Sequence, residues 1–220
     1  MVYVDKGEYD SALQYYDKAR KIQECVFGKN HPSWAATYHN IGNVYEYKGD
    51  YDTALQYYDK AMKMYKRFFG ENHPDLSAIY CNIGGVYAKR GDYDSALLYL
   101  DKARKIDEYV FGENHPDLAA TYNNIGGVYN KKGNYDSALQ YYKKSIKILE
   151  GVLDNNHPNL GVMYYNIGVV YDKKNDYTKA LEYIGMALKI FESRFGEGNE
   201  MTKTVKERIE AVKQKMKEQK

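Results

Sequence analysis

The sequence predicts an all-α solenoid, a stack of antiparallel helix pairs, and three observations carry that prediction. A tyrosine recurs at Tyr9, Tyr51, Tyr93, Tyr135 and Tyr177, a period of 42 residues. Periods of this size mark repeat architectures whose units bury their apolar faces on one another. Within the unit Thr121 to Ser145, apolar and small residues fall at helical spacing twice: Tyr122, Ile125, Gly126 and Tyr129, then Ala138, Tyr141, Tyr142 and Ser145. Between the two runs stands Lys132-Gly133-Asn134, where Gly133 is the natural residue for a left-handed helix cap.

Taken in order, the chain opens inside a repeat. Val2 to Gly7 matches Val128 to Gly133, so residues 1–32 read as a partial first repeat in an array cut from a longer one. Its second helix, from about Tyr9 to Val26, is expected to fray for want of cover. Full repeats follow at 33–74, 75–116, 117–158 and 159–198, within a single array spanning 1–220. Their first helices are expected over Ser33–Lys48, Asp75–Arg90, Asp117–Lys132 and Asn159–Lys174. The second helices are expected over Tyr51–Phe69, Tyr93–Phe111, Tyr135–Leu153 and Tyr177–Phe195. Pro32, Pro74, Pro116 and Pro158 stand where a first helix starts, a position at which proline has no N–H to lose. Asp50 and Asp92 are expected to cap second helices. Residues 199–220 depart from the pattern: Glu210 falls at the register of Gly126 and Arg208 at that of Asn124. Ile209 and Val212 keep an apolar stripe on an otherwise lysine-rich helix, the composition of a terminal cap.

Composition excludes several classes of function. Twenty-six tyrosines against six phenylalanines and one tryptophan point to tyrosine as the packing residue between helices, its hydroxyl reaching the edge. The net charge of +2 argues against a nucleic-acid binder, which needs a strongly basic face. Cys25 and Cys81 lie in different registers and make neither a disulfide framework nor a zinc site. No signal peptide and no long apolar run is present, so a protein without membrane partners, in the cytoplasm, is expected.

Catalysis finds no support. His31, His73, His115 and His157 each precede a proline, and repeats stacked about 10 Å apart hold them too far from one another to share a metal bound at about 2 Å. A structural role at the junction is expected for them. His39 has no cysteine or acidic partner at metal spacing. The pairs Gly84-Gly85 and Gly126-Gly127 sit inside helices, where close packing would explain them, and no phosphate-binding or hydrolase motif occurs. The chain is therefore expected to be no enzyme and to take no metal or other cofactor.

The small–large alternation Tyr122, Ile125, Gly126, Tyr129, Gly133, Tyr135, Ala138, Tyr142, Ser145 resembles the tetratricopeptide (TPR) pattern. The usual repeat has about 34 residues; this one is longer by about eight, placed in the second helix and the linker. The lengthened unit and its junction Phe111-Gly112-Glu113-Asn114-His115-Pro116-Asp117 are similar to those of kinesin light chain-type TPR domains. The resemblance implies a right-handed superhelix whose first helices line a concave surface, and a protein-interaction adaptor or scaffold.

One polar position recurs without an obvious packing reason. Asn40, Asn82, Asn124 and Asn166 occupy the same register of all four full first helices, although asparagine is a mediocre helix former. In TPR domains asparagine at this register binds the backbone of an extended peptide, which is what the resemblance implies here. An amide offers both a donor and an acceptor to a peptide group. A strand advancing about 3.3 Å per residue would meet such an amide about every third residue. Alternatively, these asparagines bond to the neighbouring helix and set the stacking register. Specificity is expected from groove positions that vary: His39, Asn123 and Tyr165 before the asparagine, then Asn43, Asn130, Lys89, Lys131 and Lys173 beyond it. The three lysines could draw a partner with acidic residues, as the resemblance suggests, or merely answer the helix dipole. Weak self-association through the incomplete N-terminal repeat is the competing reading.

Overall fold

The computed structural model describes residues 9–28 and 31–219; the matched segment Val2 to Gly7 lies outside them. Among the described residues the secondary structure is ten α-helices: α1 (Tyr9–Phe27), α2 (Trp34–Lys48), α3 (Tyr51–Phe69), α4 (Pro74–Lys89), α5 (Tyr93–Phe111), α6 (Pro116–Lys132), α7 (Tyr135–Val152), α8 (Pro158–Lys173), α9 (Tyr177–Phe195) and α10 (Glu200–Glu218). They group into two compact units, Met1–Val110 and Phe111–Lys220.

Capping explains where each helix begins. Pro74, Pro116 and Pro158 are first helical residues, one position earlier than expected, because the histidine before each proline is the cap. The Nδ1 atoms of His73, His115 and His157 accept from the backbone N–H two residues on, at 3.3, 3.2 and 3.2 Å. The junction histidines therefore have a defined job, filling the place usually held by Ser, Thr, Asn or Asp. At the first junction His31 Nδ1 accepts from Ser33 N at 3.2 Å, yet the helix starts only at Trp34, later than the proline pattern suggests. Asp50, Asp92, Asn134 and Asp176 cap the second helices through backbone N–H bonds. Gly133 takes the left-handed cap, at φ 82.

In the first unit, Ala35, Ala54, Tyr58, Ala61, Leu76, Ile79, Val86 and Ala103 are fully buried, each of the larger chains worth about 1.5–3 kcal/mol of transfer free energy. The approach of helix to helix is set by glycine: a Cβ on Gly42 would lie 2.6 Å from the Tyr58 ring, and one on Gly84 2.9 Å from Leu100. In the second unit Leu118, Ala119, Ala138, Ile167, Ile184 and Ala187 form the equivalent core, and Ser145 Oγ donates to the Ala119 carbonyl at 2.7 Å.

The tyrosines pack as repeated stacks beside this core. Tyr45–Tyr57, Tyr87–Tyr99, Tyr129–Tyr141 and Tyr171–Tyr183 all stack with centroids 5.6 Å apart. Lys60 and Lys102 cover such stacks, each 4.7 Å from a ring centroid, where a cation is held by the ring quadrupole. Ion pairs link the end of a first helix to the start of the preceding second helix: Lys48–Asp10 at 2.7 Å, Arg90–Asp52 at 2.6 Å, and Lys174–Asp136. Exposed pairs of this kind contribute about 0.2–1 kcal/mol each.

Candidate functional site

The first-helix face of the first unit is built on α2 and α4. Asn82 of α4 places its Nδ2 2.8 Å from both His39 Nε2 and Asn43 Oδ1 of α2. The Tyr58 hydroxyl, from α3, stands 2.7 Å from the same Asn43 Oδ1 and 2.6 Å from Glu46 Oε2, and offers its proton to that pair of acceptors. Lys89 Nζ closes the row on Glu46 Oε1 at 2.8 Å. Burial pushes the Tyr58 phenol well above its usual range, and the bond to Glu46 adds to the effect. Burial likewise holds the His39 imidazole below the usual histidine value, against the pull of Asp75 and Glu46. Asn40 is half-buried on the same helix and makes no hydrogen bond among the described residues.

The equivalent face of the second unit is built on α6 and α8. Asn166 Nδ2 donates to Asn123 Oδ1 at 3.0 Å, and Lys173 Nζ to Asn130 Oδ1 at 2.9 Å. Asn124 is exposed and has no hydrogen-bond partner among the described residues. Beyond Asn166, the position of the next asparagine is Arg208. Its guanidinium lies 3.3 Å from Asp172, which Lys215 also holds at 2.8 Å. Tyr165 lines a small apolar cavity with Val162, Phe191, Met201 and Val205, of about 250 Å³.

Asn82 and Asn166 thus bond to the preceding first helix of their own unit, while for Asn40 the preceding first helix lies outside the described residues. The three lysines divide: Lys89 is neutralised by Glu46 and Lys173 is spent on an amide, while Lys131 has no acidic partner among the described residues. The glycine pairs require a correction. Gly84 and Gly126 are demanded by close packing, but a Cβ on Gly85 or Gly127 would find its nearest atom at 3.9 or 3.7 Å, an ordinary contact. Those two keep the face bare for no packing reason. Tyr58 was absent from the expected site; at its register tyrosine recurs as Tyr142 and alternates with Leu100 and Ile184. Among the described residues no group of three potential metal ligands occurs, and no helix is long and apolar enough to cross a membrane.

No curated protein matches the sequence. Solved structures share the fold at low identity. BtubC (BKLC) from P. vanneervenii superposes with a TM-score of 0.78 at 21% identity, covering 88% of this chain and 77% of that one. A kinesin light chain-type protein of Podosopora anserina, built from nearly identical TPR-like repeats, gives 0.71 at 18% identity, covering 88% and 92%. MamA gives 0.59 at 22%, covering 87% and 94%. The helix pairs described above are therefore those of the TPR solenoid. The Tetratricopeptide repeat family model matches residues 1–67, 35–109, 99–150 and 117–193, and the chain belongs to that family.

Proposed function

We propose that the chain is a protein-interaction module that binds an extended peptide segment of a partner on its first-helix face, Asn40, Asn82, Asn124 and Asn166 contacting the peptide backbone. The observation that carries this reading is the state of Asn40 and Asn124. Each stands inside a helix, where asparagine costs about 0.5 kcal/mol or more relative to alanine, and each leaves its amide without a partner among the described residues. Asn82 and Asn166 bond to the preceding first helix of their own unit. His39, Asn43, Asn123, Asn130 and Tyr165 surround the amides and select side chains. Lys131, which has no acidic partner among the described residues, supplies a modest preference for an acidic residue. TPR proteins are characteristically interaction scaffolds, and no catalytic role is assigned to any residue.

The test is a random peptide-library selection on the wild-type chain and on Asn40→Ala/Asn124→Ala, with circular dichroism on both. Enrichment of a motif by wild type, lost in a variant that stays folded, supports the reading. Equal enrichment by both, or none by either, sinks it.

A second reading, self-association, is favoured by α1, on which Ile22 and Val26 are 64% and 65% exposed. Sedimentation over a concentration range decides it: a mass that stays monomeric removes it.

A further inference from the structure

Asn82 is the second member of a hydrogen-bond chain in the first unit, running His39, Asn82, Asn43, Tyr58, Glu46. We propose that His39 is a positioning residue that decides which end of the Asn82 amide a bound peptide meets, and that charging His39 reverses that end. The inference rests on the peptide-binding reading and adds to it a rule for what the ligand must present at this point.

The argument is one of donors and acceptors. An amide nitrogen carries two hydrogens and no acceptor, and a neutral imidazole carries one bare nitrogen. Asn82 Nδ2 spends one hydrogen on Asn43 Oδ1 and the other on His39 Nε2, both at 2.8 Å. His39 Nε2 must therefore be the bare nitrogen, with the proton on Nδ1. What remains to Asn82 is its Oδ1, so a ligand meets an acceptor there and must bring an N–H.

Protonation of His39 places a hydrogen on Nε2, and the contact with Asn82 Nδ2 becomes donor against donor. Turning the Asn82 amide restores it, with Oδ1 now accepting from the imidazolium. Asn43 must turn with it, its Nδ2 donating to Asn82 Oδ1. The reversal stops at Tyr58, because Glu46 Oε2 at 2.6 Å keeps the hydroxyl proton whichever way Asn43 faces. Asn82 then shows N–H to the ligand, which must bring a carbonyl.

The surroundings of His39 hold it neutral near pH 7. Glu46 of its own helix and Asp75 of α4 favour the charged form, but desolvation outweighs them. From α3 the Tyr58 ring faces it, 5.8 Å between centroids. Lys89 of α4 is held on Glu46. α1 brings Asp17 and Arg20, which pair with each other beside Tyr38 and Tyr57.

The experiment uses the whole chain. Nitrogen NMR of the imidazoles between pH 7.5 and 4.5 should show His39 as the Nδ1–H form at the upper end, charging below the ordinary histidine range. An Nε2–H form at pH 7.5 overturns the proposal whatever the ligand. A peptide recovered from the random library at pH 7.5 should then lose at least tenfold in affinity once His39 is charged. His39→Gln, whose Oε1 accepts at every pH, should show no change of affinity with pH, whatever its affinity relative to wild type. Affinity unchanged in wild type while the ring visibly charges overturns the inference but leaves peptide binding standing. Enrichment of no peptide at pH 7.5 overturns peptide binding and with it the ligand rule, while the NMR result alone still decides the His39–Asn82 relationship.

Discussion

A Cβ on Gly126 would lie 2.8 Å from Cδ1 and Cε1 of Tyr142, so the third full repeat closes with a tyrosine ring laid on bare helix backbone. One residue along, a Cβ on Gly127 would come no nearer than 3.7 Å to the Tyr142 hydroxyl. The neighbours should therefore respond to the same substitution with opposite signs. Gly126→Ala should destabilise by about 1–3 kcal/mol through overpacking. Gly127→Ala should stabilise by about 0.5–1 kcal/mol through helix propensity. Urea denaturation of the two variants checks this, and a loss of stability in Gly127→Ala would contradict it.

His115 both caps α6 and stacks on Phe111, with ring centroids 4.3 Å apart. Replacing it by alanine removes both contributions and should lower stability by about 1–2 kcal/mol. His115→Asn restores a capping oxygen without the ring and should recover about half of the loss. Equal losses in the two variants would mean that the stack, and not the cap, is what matters.

A buried phenol, Tyr142, and a half-buried one, Tyr164, set an alkaline limit. Burial pushes Tyr142 up to about 12, and burial together with a hydrogen bond to Glu150 pushes Tyr164 up to about 12. A raised folded value means that their contribution is complete below pH 10, the unfolded value, and is lost as pH climbs from there through 12. Absorbance at 295 nm should show a tyrosine fraction that ionises only as helicity falls. Smooth titration of every tyrosine near pH 10 with helicity intact would refute it.

Asp172 is 1% exposed and is held by Lys215 and Arg208 of the last helix. Removing a partner from a buried pair costs about 3–5 kcal/mol; here both cations are partly exposed, so Asp172→Ala should cost about 1–3 kcal/mol. The loss should appear as faster amide exchange in α10, while α6 and α7 keep their protection. Uniform loss across the chain would show that α10 does not loosen on its own.

The helix pairs and their order were legible because a 42-residue period repeats every local signal several times. Helical spacing, a glycine or asparagine stop and an aspartate or asparagine cap recur at each copy, and local chemistry alone fixes such features. Tyr51–Phe69, Tyr93–Phe111 and Tyr177–Phe195 were readable to the residue for that reason. The last three full first helices begin one position early because histidine is an unusual cap, recognised only when its Nδ1 is seen on the backbone N–H. The four asparagines looked equivalent in sequence, since a register repeats whatever its purpose. Only the tertiary structure showed that Asn82 and Asn166 spend hydrogens on the preceding first helix. The glycine pairs divide for the same reason, Gly126 meeting a ring and Gly127 only an ordinary contact. Sequence by itself determined the elements, the repeat and the family. What each polar side chain is for was decided by its neighbour one repeat away, some forty residues off along the chain, where no local signal reaches.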